Sequence, residues 1–395
     1  MRILHTSDWH LGRTLHGASL ATGHETFLDH LLEVVREESV DAVLVAGDVY
    51  DRAIPPVESV ELLSDALARL TALTRVVVTP GNHDSATRLG FGAHLYRDRV
   101  ALRARVADIG EPVELPDAQG DLGAYVYALP YLDPDMCRGE LTDEDNVMPA
   151  RSHEAVTAAA MRRVRADLSA RRAPTSKRRP AVAMAHAFVT GGAASDSERD
   201  IRVGGVDSVP SGVFAGAGLD YAALGHLHGP QQLGRHADEP LMRYSGSPLA
   251  FSFSERHHVK SSALIELGSG GVERVELIET PVLRPLSELR GTLAELLSAE
   301  HDDRTDDWIK AIVTDPVRPE GLYSTLKKRF PHLLVGPLHE PEGVEISRAA
   351  VEIARQASPD EVAGEFLAAV GGRPAAEEEL AVVREVYEQL RQRSA

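Results

Sequence analysis

The chain has one cysteine, Cys137, in 395 residues. A lone thiol builds neither an intramolecular disulfide framework nor a cysteine-based zinc site, and it fits a reducing compartment. No stretch of about 18 apolar residues is present, so no segment is expected to span a membrane. The opening Met1-Arg2-Ile3-Leu4-His5-Thr6-Ser7-Asp8 is not expected to act as a secretory leader, because its apolar run is short and soon meets Asp8. Positive charge is also in deficit. Lys and Arg number 42 against 60 Asp and Glu, a formal charge of −18. Holding nucleic acid by bulk charge needs the opposite balance. Any nucleic-acid role must then rest on a local basic surface, on metal ions or on a partner. Internal repeats and extended low-complexity tracts are missing as well.

What remains is the composition of a soluble globular protein, 43% hydrophobic and 26% charged. The length predicts two or three domains, since single cores rarely grow past about 250–300 residues. Short apolar runs at residues 2–8, Val40–Ala46 and Arg75–Thr79 read as strands. Between them, Phe27, Leu28, Leu31, Leu32 and Val35, and then Val60, Leu63, Leu67 and Leu70, repeat at helical spacing. Strand, helix, strand, helix, strand implies right-handed parallel crossovers. Ala181–Ala185 and Tyr221–Leu224 look like further buried strands. Runs near Met242–Tyr244 and Ser262–Leu267 extend or oppose the sheet. Residues 101–180 are less regular, apart from a helical, increasingly basic stretch over Arg151–Arg172. The Arg-rich segment 162–179 reads either as a solvated helix end and loop or as a phosphate-contacting surface.

The first five strands each end in a polar cluster: Ser7-Asp8-Trp9-His10, Gly47-Asp48-Val49-Tyr50-Asp51, Gly81-Asn82-His83-Asp84, His186, and Gly225-His226-Leu227-His228. Ligand sites of α/β sheets lie outside the carboxyl ends of strands, so the clusters are expected to meet on one edge. Asp8, His10, Asp48, Asn82, His186, His226 and His228 offer nitrogen and oxygen donors and no sulfur, a set suited to Mn²⁺, Fe²⁺ or Zn²⁺. Seven donors are too many for one tetrahedral ion and about right for two ions sharing a carboxylate. Asp8-x-His10 and His226-x-His228 put both members of each pair on one side of an extended segment. Two ions about 3.5–4 Å apart are a standard device for in-line phosphoester hydrolysis. His83 is more useful unligated, bonding phosphate or protonating the leaving oxygen. Asp84 is expected to orient the His83 ring and Asp51 to support a nearby ligand. His5 reads as a packed strand histidine, His257 and His258 as surface groups, Trp9 as packing, and Cys137 as inert.

These five clusters, in this order, resemble the calcineurin-like metallophosphoesterase superfamily, whose pattern is D-x-H, G-D-x-x-D, G-N-H-D/E, H and G-H-x-H. Residues 1–12, 46–51, 80–85 and 221–228 are closer still to one branch, the SbcD family of bacterial nuclease subunits. Tyr244-Ser-Gly-Ser-Pro248 and Phe251-Ser-Phe-Ser-Glu255, outside the metal motifs, are similar to that branch too. The resemblance spans nearly the whole chain and is weakest over 101–180 and the last fifty residues. It implies an α/β fold: a four-layer metallophosphoesterase β-sandwich flanked by helices, with a small α/β capping domain and a helical C-terminal tail. The corresponding ranges are 1–280, 281–345 and 346–395. It implies two divalent ions, usually manganese, one on Asp8, His10, Asp48 and His228, the other on Asp48, Asn82, His186 and His226, with His83 as the catalytic histidine.

The activity implied is that of a cytoplasmic nuclease serving DNA repair, recombination and replication, an exonuclease on double strands and an endonuclease on single strands or hairpins. The partners implied are DNA, a second copy in a homodimer, and an SbcC-like coiled-coil ATPase in a two-plus-two assembly. Two other readings are a small-phosphodiester enzyme of the same fold, as on cyclic nucleotides, and a non-catalytic scaffold. The cap and tail weigh against the first and the complete donor set against the second. In the tail, Ser358 starts a helix with Val362, Phe366, Leu367 and Val370 on its apolar face. A second helix after Pro374 carries Leu380, Val383, Tyr387 and Leu390. The two are expected to dock the ATPase or to fold back on the cap.

Overall fold

The computed structural model describes residues 1–96, 99–117, 119–143, 145–173, 178–201, 208–234 and 236–341, together with Gly364, Ala376, Glu377, residues 379–384 and Val386. The paired helices expected over 358–390 lie outside the described residues, apart from those few positions.

Two six-stranded sheets form the centre of the molecule. In spatial order the first contains Gly271–Glu279, Ser261–Gly268, Arg2–Thr6, Ala42–Ala46, Arg75–Thr79 and Val100–Leu102. Its last four strands are parallel, and Ser261–Gly268 adds antiparallel to Arg2–Thr6. The second sheet contains Gln231–Gln232, Leu241–Tyr244, Tyr221–Gly225, Ala181–His186, Leu122–Ala128 and Val113–Pro116, with its middle four strands parallel.

The continuous apolar runs follow from burial on both faces. Along Ala42–Ala46, Val43 and Val45 join the core under the helices Ala21–Glu37 and Val57–Leu73. Ala42, Leu44 and Ala46 face the other sheet, where Val126, Val182, Met184 and Ala223 meet them. Helix Ala21–Glu37 buries Phe27, Leu28, Leu31, Leu32 and Val35 on one side, each such side chain contributing roughly 1.5–3 kcal/mol. On the far side, helix His153–Arg172 starts at Ser152, whose side chain accepts from Ala155 N, and buries Val156, Ala160, Val164 and Leu168 against the second sheet. The layers are therefore helix, sheet, sheet, helix.

The five polar clusters meet at one end of the molecule, as expected, but across the two sheets of the sandwich. Three strands belong to the first sheet and two to the second. Parallel strands of both sheets finish at the same end, and there the sheets nearly touch. A Cβ on Gly225 would stand 1.8 Å from the Ala46 carbonyl oxygen. Residues 101–180 are also more regular than expected, because Val113–Pro116 and Leu122–Ala128 complete the second sheet.

Beyond a short connection after Glu279, Leu286–Gly291, Trp308–Val313 and Leu333–His339 form a three-stranded parallel sheet. Helix Leu322–Arg329 packs on it through Leu322 and Leu326 over Leu289, Ile309, Ala311 and Val313. The strand Leu286–Gly291 and the helix Leu293–Leu296, closed by a Thr292–Glu295 capping box, complete this small α/β unit. Leu286, Trp308 and Leu334 pack against Leu15, Leu20 and Phe251 of the main body.

Candidate metal centre

The loops leaving the five strands are strained where they carry the donors. Asp8, His10, Asp48 and His226 all have positive φ, at 54°, 45°, 47° and 107°. Such conformations cost of order 1–3 kcal/mol for residues with a Cβ and persist at functional sites. Two glycines make room. Gly47 has a φ of 86°, and a Cβ there would lie 2.1 Å from His186 Nδ1. A Cβ on Gly81 would lie 2.1 Å from Asp48 Oδ1. Main-chain bonds lock the loops together, Asp8 N to Gly47 O at 3.1 Å and His10 N to Asp48 O at 2.9 Å.

The seven expected donors converge across the sandwich. Asp48 Oδ2 lies 3.5 Å from His10 Nε2 and 3.4 Å from His186 Nε2. Asn82 Oδ1 is 2.9 Å from His186 Nε2 and 3.2 Å from His226 Nδ1. His10 Nε2 and His228 Nε2 face each other at 3.2 Å. The Asp8 carboxylate accepts from His226 N at 3.0 Å and from Ser7 Oγ at 2.5 Å. Asp8, His10, Asp48, His186, His226 and His228 are all buried.

Burial governs the charges. It pushes Asp8 up to about 6, with Asp48 adding to the rise and His186 and His228 opposing it. It also works against the Asp48 charge, but the attraction of His186 and His10 holds that carboxyl well below its ordinary range. Burial alone would lower His186, yet Asp48 and Asp8 raise it to about 9. Burial, reinforced by His186, depresses His226 to about 3, and burial likewise holds His10 well below the usual imidazole range.

The cluster fits divalent cations. Within it Asp8, His10 and His228 bring donor atoms inside 4.8 Å of one another, as do Asp8, Asp48 and His186, and His10, Asp48 and His83. Two imidazole nitrogens pointing at each other share at most one proton, so one lone pair at least is free for a cation. Among the described residues, buried His10 Nδ1 and Asn82 Nδ2 have no hydrogen-bond partner. The all nitrogen and oxygen donor set belongs to Mn²⁺, Fe²⁺ or Zn²⁺ chemistry.

His83 stands at the rim. Its Nε2 is 3.9 Å from Asp48 Oδ2, further than the His10 and His186 nitrogens. Its ring is held through Nδ1, which donates to the Asp51 main-chain carbonyl at 2.8 Å. The expectation that Asp84 orients this ring is not met. The Asp84 carboxylate instead accepts from Gly81 N, Val49 N and Tyr50 N at 2.9, 3.0 and 2.9 Å, pinning two donor loops together. Burial and the nearby Asp48 push Asp84 up to about 7. Asp51 brings its carboxylate to 3.7 Å from His10 Nδ1 and 3.3 Å from Arg13.

Other expectations resolve plainly. Trp9 is fully buried, donating to Thr6 Oγ1. His5 is buried on Tyr221 Oη, Cys137 is buried, and His257 is exposed while His258 is half-buried. In the Arg-rich stretch most guanidinium groups are used internally: Arg163 on Glu140 O, Arg165 on Ala215 O, Arg171 on Asp167 and Glu114, Arg172 on Gly218 O, and Arg178 on Asp220. That leaves little for phosphate. Residues 174–177 lie outside the described set.

Sequence reasoning missed the groups that hold the donors from behind. Ser245 Oγ bonds Ser7 Oγ at 2.8 Å, behind Asp8. Ser197, Glu198, Glu255 and Lys260 surround His228. The only signal for Ser245 and Glu255 was their place in two motifs that carry no donor.

The profile of the calcineurin-like phosphoesterase family matches residues 1–230, and that of the type 5 capsule protein repressor C-terminal domain matches residues 282–370. The chain is similar to SbcD of the nuclease SbcCD from Rhodobacter capsulatus, with 38% identity over 318 residues, 76% of this chain and 75% of that protein. Against SbcD of Escherichia coli K12, identity is 35% over 303 residues, covering 75% and 72%. Against SbcD of Bacillus subtilis it is 32% over 365 residues, 89% of each chain. With the calcineurin-like phosphoesterase profile over residues 1–230 and relatives of this identity along most of its length, the chain belongs to the SbcD family.

Proposed function

We propose that this chain is the nuclease subunit of a DNA end- and hairpin-processing complex, cleaving phosphodiesters as a double-strand exonuclease and a single-strand endonuclease. The observation that carries the reading is the convergence of seven nitrogen- and oxygen-bearing side chains, six of them buried, from two sheets onto one point. Asp8, His10, Asp48 and His228 would hold one divalent ion, and Asp48, Asn82, His186 and His226 the other, Mn²⁺ by preference. Asp48 Oδ2 lies within 3.5 Å of a histidine from each set, as a shared carboxylate must. When bound, such ions supply a nucleophile at neutral pH and offset charge on the attacking and leaving oxygens.

The chain's own residues do the rest. His83, with Nδ1–H fixed on Asp51 O, presents Nε2 to the mouth of the centre. From there Nε2 would bond phosphate or pass a proton to the departing oxygen. Asp84 holds the loops of Asp48 and Asn82 in register.

The net charge of −18 makes intrinsic duplex binding weak. The ions and an SbcC-like ATPase would then supply much of the positive field, in a cytoplasmic two-plus-two complex. Residues 1–280 serve as the nuclease domain, 281–345 as the cap and 346–395 as the ATPase-docking tail. Among the described residues no helix is long and apolar enough to cross a membrane. The proposed assembly includes a homodimer of this chain.

The test is hydrolysis with Mn²⁺ of linear duplex, hairpin DNA, bis-p-nitrophenyl phosphate and cyclic nucleotide, with and without the cognate ATPase. Cleavage of both DNA forms, stimulated by the ATPase, supports the reading. Turnover of cyclic nucleotide with DNA left intact would replace it with a small-phosphodiester enzyme.

A further inference from the structure

Behind His228 lies a buried ion pair. The side chains of Glu255 and Lys260 are 0% and 3% exposed and in direct contact. A buried pair is expensive unless its remaining hydrogen-bonding positions are filled, and here they are filled largely by His228 and the groups beside it. Lys260 Nζ donates to the His228 carbonyl at 2.9 Å and to Ser247 Oγ at 2.9 Å. Glu255 Oε1 accepts from Ser197 Oγ and from Phe251 N. Ser197 Oγ is also 2.5 Å from His228 Nδ1. Glu198 Oε1 accepts from His228 N at 2.8 Å. The main-chain nitrogen, the main-chain oxygen and Nδ1 of His228 are thus each held. Only Nε2 is left, facing His10 Nε2 at 3.2 Å inside the donor cluster.

The proton directions follow from what each group can do. Glu255, paired with Lys260, is a carboxylate and only accepts. Ser197 has one hydroxyl proton and gives it to Glu255. The neighbouring hydroxyl, Ser195 Oγ, sends its own proton to Glu198 Oε2 at 2.7 Å, so it does not reverse the chain. Ser197 Oγ must therefore accept from His228, which places the imidazole proton on Nδ1 and leaves a bare lone pair on Nε2.

We propose that Glu255, acting through Ser197, fixes the tautomer of His228 and aims its Nε2 lone pair at one metal position, with Lys260 keeping the carboxylate in place. Ser197 and Glu255 are positioning residues that touch neither substrate nor ion. Carboxylates behind metal-bound histidines commonly change metal affinity 10–100-fold, roughly, when removed. The proposal rests on the reading of His228 as a metal ligand.

The test uses the full chain and two readouts. Long-range ¹⁵N–¹H correlation of the metal-free, histidine-labelled protein reports the tautomer; Nδ1–H with unprotonated Nε2 is expected at His228, and Nε2–H would overturn the proposal. Mn²⁺ binding followed by electron paramagnetic resonance of the free ion gives the affinities. Ser197→Ala, which leaves the buried pair intact, should weaken one of two ions by about 10–100-fold and leave the other unchanged. Ser197→Thr, which keeps the hydroxyl, should restore that affinity. Glu255→Gln turns an acceptor into a donor toward Ser197 and should shift His228 toward Nε2–H. If His228→Ala loses an ion while Ser197→Ala binds both at wild-type affinity, the positioning role is wrong. If His228→Ala itself keeps both ions, the ligand reading fails and the proposal falls with it.

Discussion

His83 separates the roles within the cluster. Its Nδ1 is committed to the Asp51 carbonyl, and its Nε2 is the most distant of three imidazole nitrogens around Asp48 Oδ2. His83→Ala should cut turnover by about 10²–10⁴-fold, as loss of a positioned acid or transition-state donor does, while metal content stays near wild type. Parallel measurement of rate and bound manganese checks this; a fall in both would make His83 a ligand. The residues that cluster here were legible in the sequence because each closes an apolar strand run in a fixed short motif. The residues behind them were not. Ser197 and Glu255 reach His228 from 31 residues before it and from beyond it, and nothing in local spacing announces such a contact. Asp84 misled for a related reason, since adjacency to His83 says nothing about direction, and its carboxylate turns back to three main-chain nitrogens.

At the level of strands and loops, the site depends on how closely the two sheets approach at their carboxyl ends. Gly47→Ala tests this. The left-handed backbone alone costs a side chain about 1–2 kcal/mol, and the new Cβ would occupy the space of the His186 ring, 2.1 Å from Nδ1. The variant should melt several degrees lower and bind manganese more weakly, by calorimetry and metal analysis. Unchanged melting and binding would show that the loop relaxes freely. Strands buried on both faces, such as Ala42–Ala46 and Ala181–His186, could be read directly as apolar runs. Leu122–Ala128 could not, because Gly123 and two tyrosines interrupt its pattern, although it lies beside Ala181–His186 in the second sheet. Nor does a list of strands disclose which sheet each one joins. Pairing is a non-local choice, and the two-sheet sandwich was expected from the family resemblance and not from the strand pattern.

For the whole molecule, the charge of −18 and the internal use of the Arg-rich stretch agree with the proposal that DNA engagement is shared with a partner. Deleting residues 350–395 should leave metal binding and intrinsic Mn²⁺-dependent hydrolysis intact and abolish co-purification with the ATPase. A truncated chain that still retains the ATPase at wild-type level would move the docking surface elsewhere. The central claim, that Asp48 joins two ions in one centre, is open to a direct measurement. Crystals grown with Mn²⁺ should give two anomalous peaks roughly 3.5–4 Å apart, both in contact with the Asp48 carboxylate and flanked by His10 and His228 on one side and Asn82, His186 and His226 on the other. A single peak, or two peaks of which Asp48 touches only one, would contradict the account.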